Sequence, residues 1–220
     1  MKVKKRIMVI APHADDEVLG CGGYLLHSKS MTGGEAHIRI VVATVGGADK
    51  RQDYQTRIDE FLSVCNALGS EGIVLFDNMD AMLDTKPSRD LISFLDKEID
   101  SFRPDEIFVN YRSRHQDHIK VYDCAMASLR LREGYRPKFV ALYEYPFITN
   151  GTDRVEGGTA YHDITDVIGD KVNLFNLYGS QVRETPSPLN EEGIKSLAHI
   201  RGLECGCEYA EKFYIQKMMV

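Results

Sequence analysis

Ile7-Met8-Val9-Ile10-Ala11-Pro12-His13-Ala14-Asp15-Asp16-Glu17 passes within a few residues from an apolar run to one imidazole and three carboxylates. The apolar run reads as a buried strand. The acidic residues read as the opening of a helix, where Asp and Glu suit the positive end of the helix dipole. Carboxylates crowded at a strand end are costly unless something positive offsets them, and a divalent metal is the simplest candidate. A second polar group, His115-Gln116-Asp117-His118, follows the apolar run Ile107-Phe108-Val109. Two such groups at two strand ends suggest one site assembled from two loops.

The alternation continues along the chain. Residues 7 to 11 read as a strand and 15 to about 28 as a helix. Residues 38 to 44 form a strong strand pattern, and 51 to 68 a helix with Ile58, Phe61, Leu62, Cys65 and Leu68 on one face. Gly69 stops that helix. Residues 73 to 76 read as a strand, and Pro87 opens a helix carrying Leu91, Phe94, Leu95 and Ile99. A strand follows over 106–110, a helix over 119–131 and a strand over 139–145. Strands alternating with helices predict an α/β fold: a mostly parallel sheet with helices on both faces, in three Rossmann-like layers. Ligands in such sheets bind beyond the carboxyl ends of the strands, where both polar groups lie. Residues 146 to 162 read as an irregular loop holding Glu156, Tyr161 and His162. Thr165 or Asp166 is expected to cap the next helix, and a final helix is expected to begin near Asn190.

Bulk properties narrow the function. The chain has 220 residues and a formal charge of -6, with a pI near 5.7. One domain over 1–220 is expected, and the acidic balance argues against a nucleic-acid partner. The basic start reaches only to Arg6, and four apolar residues after it are too few for a signal-peptide core. With no window of membrane-spanning length, a soluble cytoplasmic protein is expected. Five scattered cysteines argue against a disulfide framework, and Cys205-Gly206-Cys207 lacks the matching second pair of a metal site.

The chemistry of the two polar groups is that of a catalytic metal site. His13, Asp16 and His118 are suitable zinc ligands, and three protein ligands leave a fourth position for water. Zinc lowers the pKa of that water to roughly 7. Asp15 is placed to accept the water's proton. His115 suits stabilisation of an oxyanion or protonation of a leaving amine, and Asp117 suits orientation of that imidazole. The donor set also accepts Fe2+, Co2+ or Mn2+.

Pro12-His13-Ala14-Asp15-Asp16-Glu17, with Val18-Leu19-Gly20-Cys21-Gly22-Gly23, resembles the first signature of the LmbE-like, or PIG-L, N-deacetylases. Arg114-His115-Gln116-Asp117-His118 resembles their second. Shorter segments agree, among them Arg57-Ile58-Asp59-Glu60, Asp80-Ala81-Met82-Leu83 and Tyr209-Ala210-Glu211-Lys212-Phe213. The resemblance implies a zinc-dependent hydrolase that removes acetyl or larger acyl groups from amino-sugar conjugates such as N-acetylglucosaminides. It implies His13, Asp16 and His118 as ligands, Asp15 as base, His115 with Asp117 as oxyanion stabiliser or acid, and Arg57 near the substrate. Trimers and hexamers occur in the family, so a homo-oligomer is one expectation. Ala14 and Gln116 stand where the family usually has Pro, which removes no ligand. The aglycone is left open: glucosaminyl-inositol, glucosaminyl-malate, chito-oligosaccharides and antibiotic intermediates all suit the pattern.

Two rival readings are weaker. A dinucleotide-binding loop at Gly20-Cys21-Gly22-Gly23 has the wrong spacing, because the glycines come after three acids and well into the helix. Close helix–sheet packing is the better use for them. The other rival is an inactive or differently specific metal-dependent carbohydrate-binding homologue, against which the intact Asp15 argues.

Overall fold

The computed structural model describes residues 5–31, 36–46, 54–77, 79–130, 135–146 and 158–220. The chain alternates as the sequence predicts: β1 (Arg6–His13), α1 (Asp16–Met31), β2 (His37–Thr44), α2 (Tyr54–Leu68) and β3 (Glu71–Val74). After a 3-10 turn at Leu83–Thr85 come α3 (Ser88–Phe102), β4 (Glu106–Asn110), α4 (Gln116–Ser128) and β5 (Phe139–Tyr143). The chain closes with β6 (Gly158–Asp163), α5 (Ile168–Asn176), α6 (Glu191–Cys205) and β7 (Ala210–Met218).

Among the described residues, seven strands join one sheet in the order β3-β2-β1-β4-β5-β7-β6. Strands β1 to β5 pair in parallel, whereas β7 is antiparallel to both β5 and β6. The sheet is buried on both faces, which is why its central strands read as continuous apolar runs rather than as alternation. Ile7, Val9 and Ala11 point to one face, with Val18, Leu25, Phe61, Val64 and Phe175 from α1, α2 and α5. Met8 and Ile10 point to the other, with Leu91, Leu95, Ile99 and Val121 from α3 and α4. The period of two along β1 therefore feeds two separate cores.

Chain direction reverses at β1. The first three strands run outward to one side of it, and β4 and β5 are laid on the other. This switch point opens a crevice beyond the carboxyl ends of β1 and β4. Gly20 brings α1 onto the sheet there: a Cβ would lie 2.1 Å from Tyr143 Cδ2, and one at Gly23 2.4 Å from Ile164 Cγ2. The glycines thus serve close packing.

Several boundaries differ from the sequence reading. Residues 51–53 and 147–157, including Glu156, lie outside the described residues, but β6 occupies the end of the expected 146–162 loop. Strand β7 has no counterpart among the expected elements. Both antiparallel strands are half-buried and only weakly patterned, so their pairing with the sheet is what defines them. Leu62 is 52% exposed, while Arg57 and Val64 share the buried face of α2. Neither Thr165 nor Asp166 caps α5. Val167 precedes that helix, and Asp163 accepts from the Thr165 N–H at 2.9 Å. Helix α4 begins three residues earlier than expected, because the His115 side chain caps it by accepting from the Asp117 N–H at 3.2 Å. Helix α6 begins beside Asn190, as expected, and the Asn190 side chain caps it by accepting from the Gly193 N–H.

Candidate active site

The crevice gathers both polar groups. His13 is the last residue of β1, Asp16 the first of α1, and His118 lies in the first turn of α4. His13 Nδ1 is 3.5 Å from Asp16 Oδ2, and His118 Nε2 is 3.3 Å from the same oxygen. One donor atom from each of the three lies within 4.8 Å of the others. His13, His115 and Asp117 meet the same criterion. In that second trio, however, the Asp117 oxygens already accept from Ala81 N–H at 2.7 Å and Leu83 N–H at 3.0 Å, and His115 Nδ1 is spent on the helix cap. Asp15, Asp16, Glu17, Asp80 and Asp117 converge here, with Arg57 as the fixed cation at Asp15. A buried His2Asp donor set amid excess carboxylate fits a divalent metal ion.

The electrostatics follow from burial and contact. Desolvation raises the Asp15 carboxyl well above the usual carboxylate range, the neighbouring Asp16 charge adds to this, and Arg57 partly opposes it. Burial also pushes Glu17 up to about 7. Burial works against ionisation of Asp16, but His118 and His13 outweigh it and hold that carboxyl low. Burial lowers His118 to about 4, which keeps the imidazole neutral as a metal ligand requires.

The backbone at Asp15 is unusual. Its φ is +137°, a region non-glycine residues rarely enter. Bonds on every side hold it there. The Asp15 N–H donates to Glu17 Oε2 at 3.0 Å, and its carbonyl accepts from Val18 and Leu19 at 3.1 and 3.0 Å. Tyr178 donates to the other Glu17 oxygen, and Arg57 donates to the carbonyl of Ala14. Glu17, left without a role at the metal by its sequence position, shapes this turn.

Two residues make contacts beyond those expected. Arg57, taken from the resemblance as a substrate contact, is 1% exposed. Its guanidinium bonds Val45 O at 2.8 Å, Glu60 at 3.0 Å, Ser180 Oγ at 3.5 Å and Ala14 O. It stacks 5.4 Å from the Tyr178 ring centre and approaches Asp15 Oδ2 to 3.9 Å. Arg57 is thus a buried brace beneath the β1–α1 turn, because these acceptors surround its fork. Asp117, expected to orient His115, places its carboxylate on His13 Nε2 at 3.0 Å instead. Only its backbone N–H reaches His115. That bond to Nδ1 leaves the proton of the neutral His115 ring on Nε2. His115 is half-buried, and its ring centre is 5.2 Å from that of His13.

Other residues enter that sequence reading gave no role. Asp80 Oδ1 is 3.3 Å from His13 Nε2, and the Tyr145 ring lies 4.6 Å from that of His118. A carboxylate beyond the end of β3 was the available signal for Asp80. Tyr111 is buried against Tyr214, and Arg112 pairs with Asp123 at 3.1 Å. His162 bonds His27 at 2.8 Å, a structural use. Among the described residues, no helix is long and apolar enough to cross a membrane.

The fold has solved counterparts. The conserved protein TT1542 from Thermus thermophilus is 24% identical with a TM-score of 0.79, covering 97% of this chain and 96% of that one. N,N'-diacetylchitobiose deacetylase from Pyrococcus horikoshii is 23% identical with a TM-score of 0.70, covering 96% and 84%. GalB, the 4-carboxy-2-hydroxymuconate hydratase from Pseudomonas putida KT2440, is 17% identical with a TM-score of 0.76, covering 98% of each. At these identities the likeness is one of fold. No curated protein matches the chain. Residues 8–129, which run from within β1 through α4 and include every residue of both polar groups, match the family described as PIG-L: GlcNAc-PI de-N-acetylase, and the chain belongs to that family.

Proposed function

We propose that this protein hydrolyses the N-acetyl group of an N-acetylglucosamine-type conjugate, with a zinc ion held by His13, Asp16 and His118. The observation that carries this reading is the convergence of those three side chains beside Asp15 at the β1–β4 switch point, in a chain of a de-N-acetylase family. Bound zinc supplies a Lewis acid that polarises the acyl carbonyl and makes water acidic near neutral pH.

The chain's own residues divide the remaining work. Asp15 accepts the proton of the attacking water, held at the mouth of α1 by its constrained backbone. Its high affinity for a proton, produced by burial, suits a base. His115 donates Nε2–H toward the oxygen that gains charge at the acyl carbon. Asp117 and Asp80 hold the His13 ring from its Nε2 side, so that Nδ1 faces Asp16. Arg57 acts through the turn and through Asp15. The amide C–N bond breaks, the amine leaves with the proton gained from water, and acetate is the second product.

The test is release of acetate from a panel of N-acetylglucosamine conjugates by the zinc-loaded protein. Wild type is expected to release acetate. Asp15→Ala is expected to retain zinc, read by metal analysis, while losing turnover by two or more orders of magnitude, a typical share for a general base. Undiminished turnover in Asp15→Ala overturns the base assignment. Because a hydratase shares the fold, zinc-loaded protein that releases no acetate from any conjugate overturns the deacetylase reading.

A further inference from the structure

Cys205 and Cys207 lie away from the crevice, where α6 gives way to β7. Cys205 is the last residue of α6, and Gly206 follows in the left-handed region at φ +90°. The two sulfurs are 3.6 Å apart. Cys205 is exposed and Cys207 partly so, whereas Cys21, Cys65 and Cys124 are buried. The link between the two is the glycine cap of α6, and the Cys205 sulfur donates to Gly202 O at 3.5 Å. A Cβ at Gly206 would meet nothing within 4 Å, and the N–H groups of Gly206 and Cys207 share the one acceptor Gly202 O at 2.8 and 3.0 Å.

A disulfide brings its sulfurs to about 2.05 Å. Closing from 3.6 Å takes rotation of two terminal side chains and a small adjustment at a glycine facing open space. We propose that Cys205-Gly206-Cys207 is a redox-active dithiol that exchanges with low-molecular-weight disulfides and closes reversibly to an intramolecular disulfide. Cys205, the exposed sulfur, attacks first: its thiol gives up a proton, and the thiolate displaces one thiol from the small disulfide. That forms a mixed disulfide on Cys205. Cys207 then gives up its proton and attacks the Cys205 sulfur, expelling the second small thiol. Two electrons pass from the protein thiols to the small disulfide, which leaves as two thiols carrying the two protons.

The geometry assigns the order of events. Cys207 donates to Tyr209 O at 3.3 Å. Partial burial, the hydrogen bond with Cys205 and the charge of Asp163 push its thiol up to about 11. It is therefore the slower nucleophile in the free dithiol and serves as the resolving group once Cys205 is capped.

Glutathione disulfide is the probe, applied to the full folded chain and read by intact mass and peptide mapping. Wild type is expected to become lighter by two hydrogen atoms, with the crosslink mapped to Cys205–Cys207 and reversed by dithiothreitol. Cys207→Ser is expected to stop at a glutathione adduct on Cys205. Cys205→Ser is expected to react at least tenfold more slowly than wild type. A stable glutathione adduct on wild-type Cys205, a crosslink between two chains, or unreacted Cys205 overturns the proposal. Acetate release is not the readout, so this result stands or falls independently of the deacetylase reading.

Discussion

The Asp117 carboxylate lies 3.0 Å from His13 Nε2, across 104 residues of sequence, while His13 Nδ1 turns toward Asp16. Asp117 is fully buried and is itself held by the N–H groups of Ala81 and Leu83. A carboxylate behind a histidine fixes the ring and strengthens its free nitrogen as a ligand. Asp117 therefore belongs with the proposed metal-binding group rather than with His115.

Asp117→Asn keeps one acceptor oxygen for the N–H of Ala81 or Leu83 and turns an NH2 donor toward the other, so it should lose some stability and weaken zinc binding by about 10–100-fold. Competition against a chromophoric chelator measures this. Unchanged affinity would show that His13 does not depend on its buried partner.

Arg57→Met should destabilise the protein by about 3–5 kcal/mol, the usual result of leaving one member of a buried pair behind. Glu60 loses its cation and keeps only its bonds from Ser180, and the carbonyls of Val45 and Ala14 lose the Arg57 donor. Arg57→Lys should not restore stability, since one ammonium lacks the planar fork that reaches these acceptors. Urea denaturation midpoints decide the matter; an exposed sugar-contacting arginine would leave them unmoved.

Gly20→Ala and Gly206→Ala should differ in cause. At Gly20 the new Cβ meets the Tyr143 ring and the Glu144 carbonyl at 2.8 Å or less, so overpacking should cost about 1–3 kcal/mol and displace α1 from the crevice. At Gly206 the space is open and only the left-handed backbone resists, which costs about 1–2 kcal/mol. Acetate release should fall in the first variant and stay at the wild-type rate in the second.

Glu204 gives a pH signature far from the crevice. Its partial burial opposes ionisation, but Lys212, Tyr161 and Arg201 outweigh this and lower the carboxyl from its ordinary 4.5 to about 2. A carboxyl lowered by folding stabilises the folded state above its unfolded value, and that stabilisation is lost as pH falls toward the folded value. The stability gap between wild type and Glu204→Gln should therefore be full above pH 4.5 and close toward pH 2. A gap that stays constant across this range would sink the assignment.

Local patterns made most of the first five strands and their helices legible. The apolar runs of β1, β2 and β4 and the period of α3 are properties of neighbouring residues. The antiparallel strands β6 and β7 were not legible, because half-buried strands carry little pattern until a partner strand defines their faces. Which histidines and acids share a crevice was legible only through the rule that ligands gather at strand ends.

The layered α/β architecture and the two polar groups at strand ends can be read from neighbouring residues, because strand and helix periods and residue chemistry are local properties. The strand order, with β4 beside β1, comes from long-range packing, and it sets which atoms of His13, His118 and Asp117 meet. The same packing sets the Arg57 guanidinium on the carbonyls of Ala14 and Val45 beside Asp15. Such contacts depend on where distant segments cross and on how each buried polar group finds a partner, and no short window of sequence carries that information.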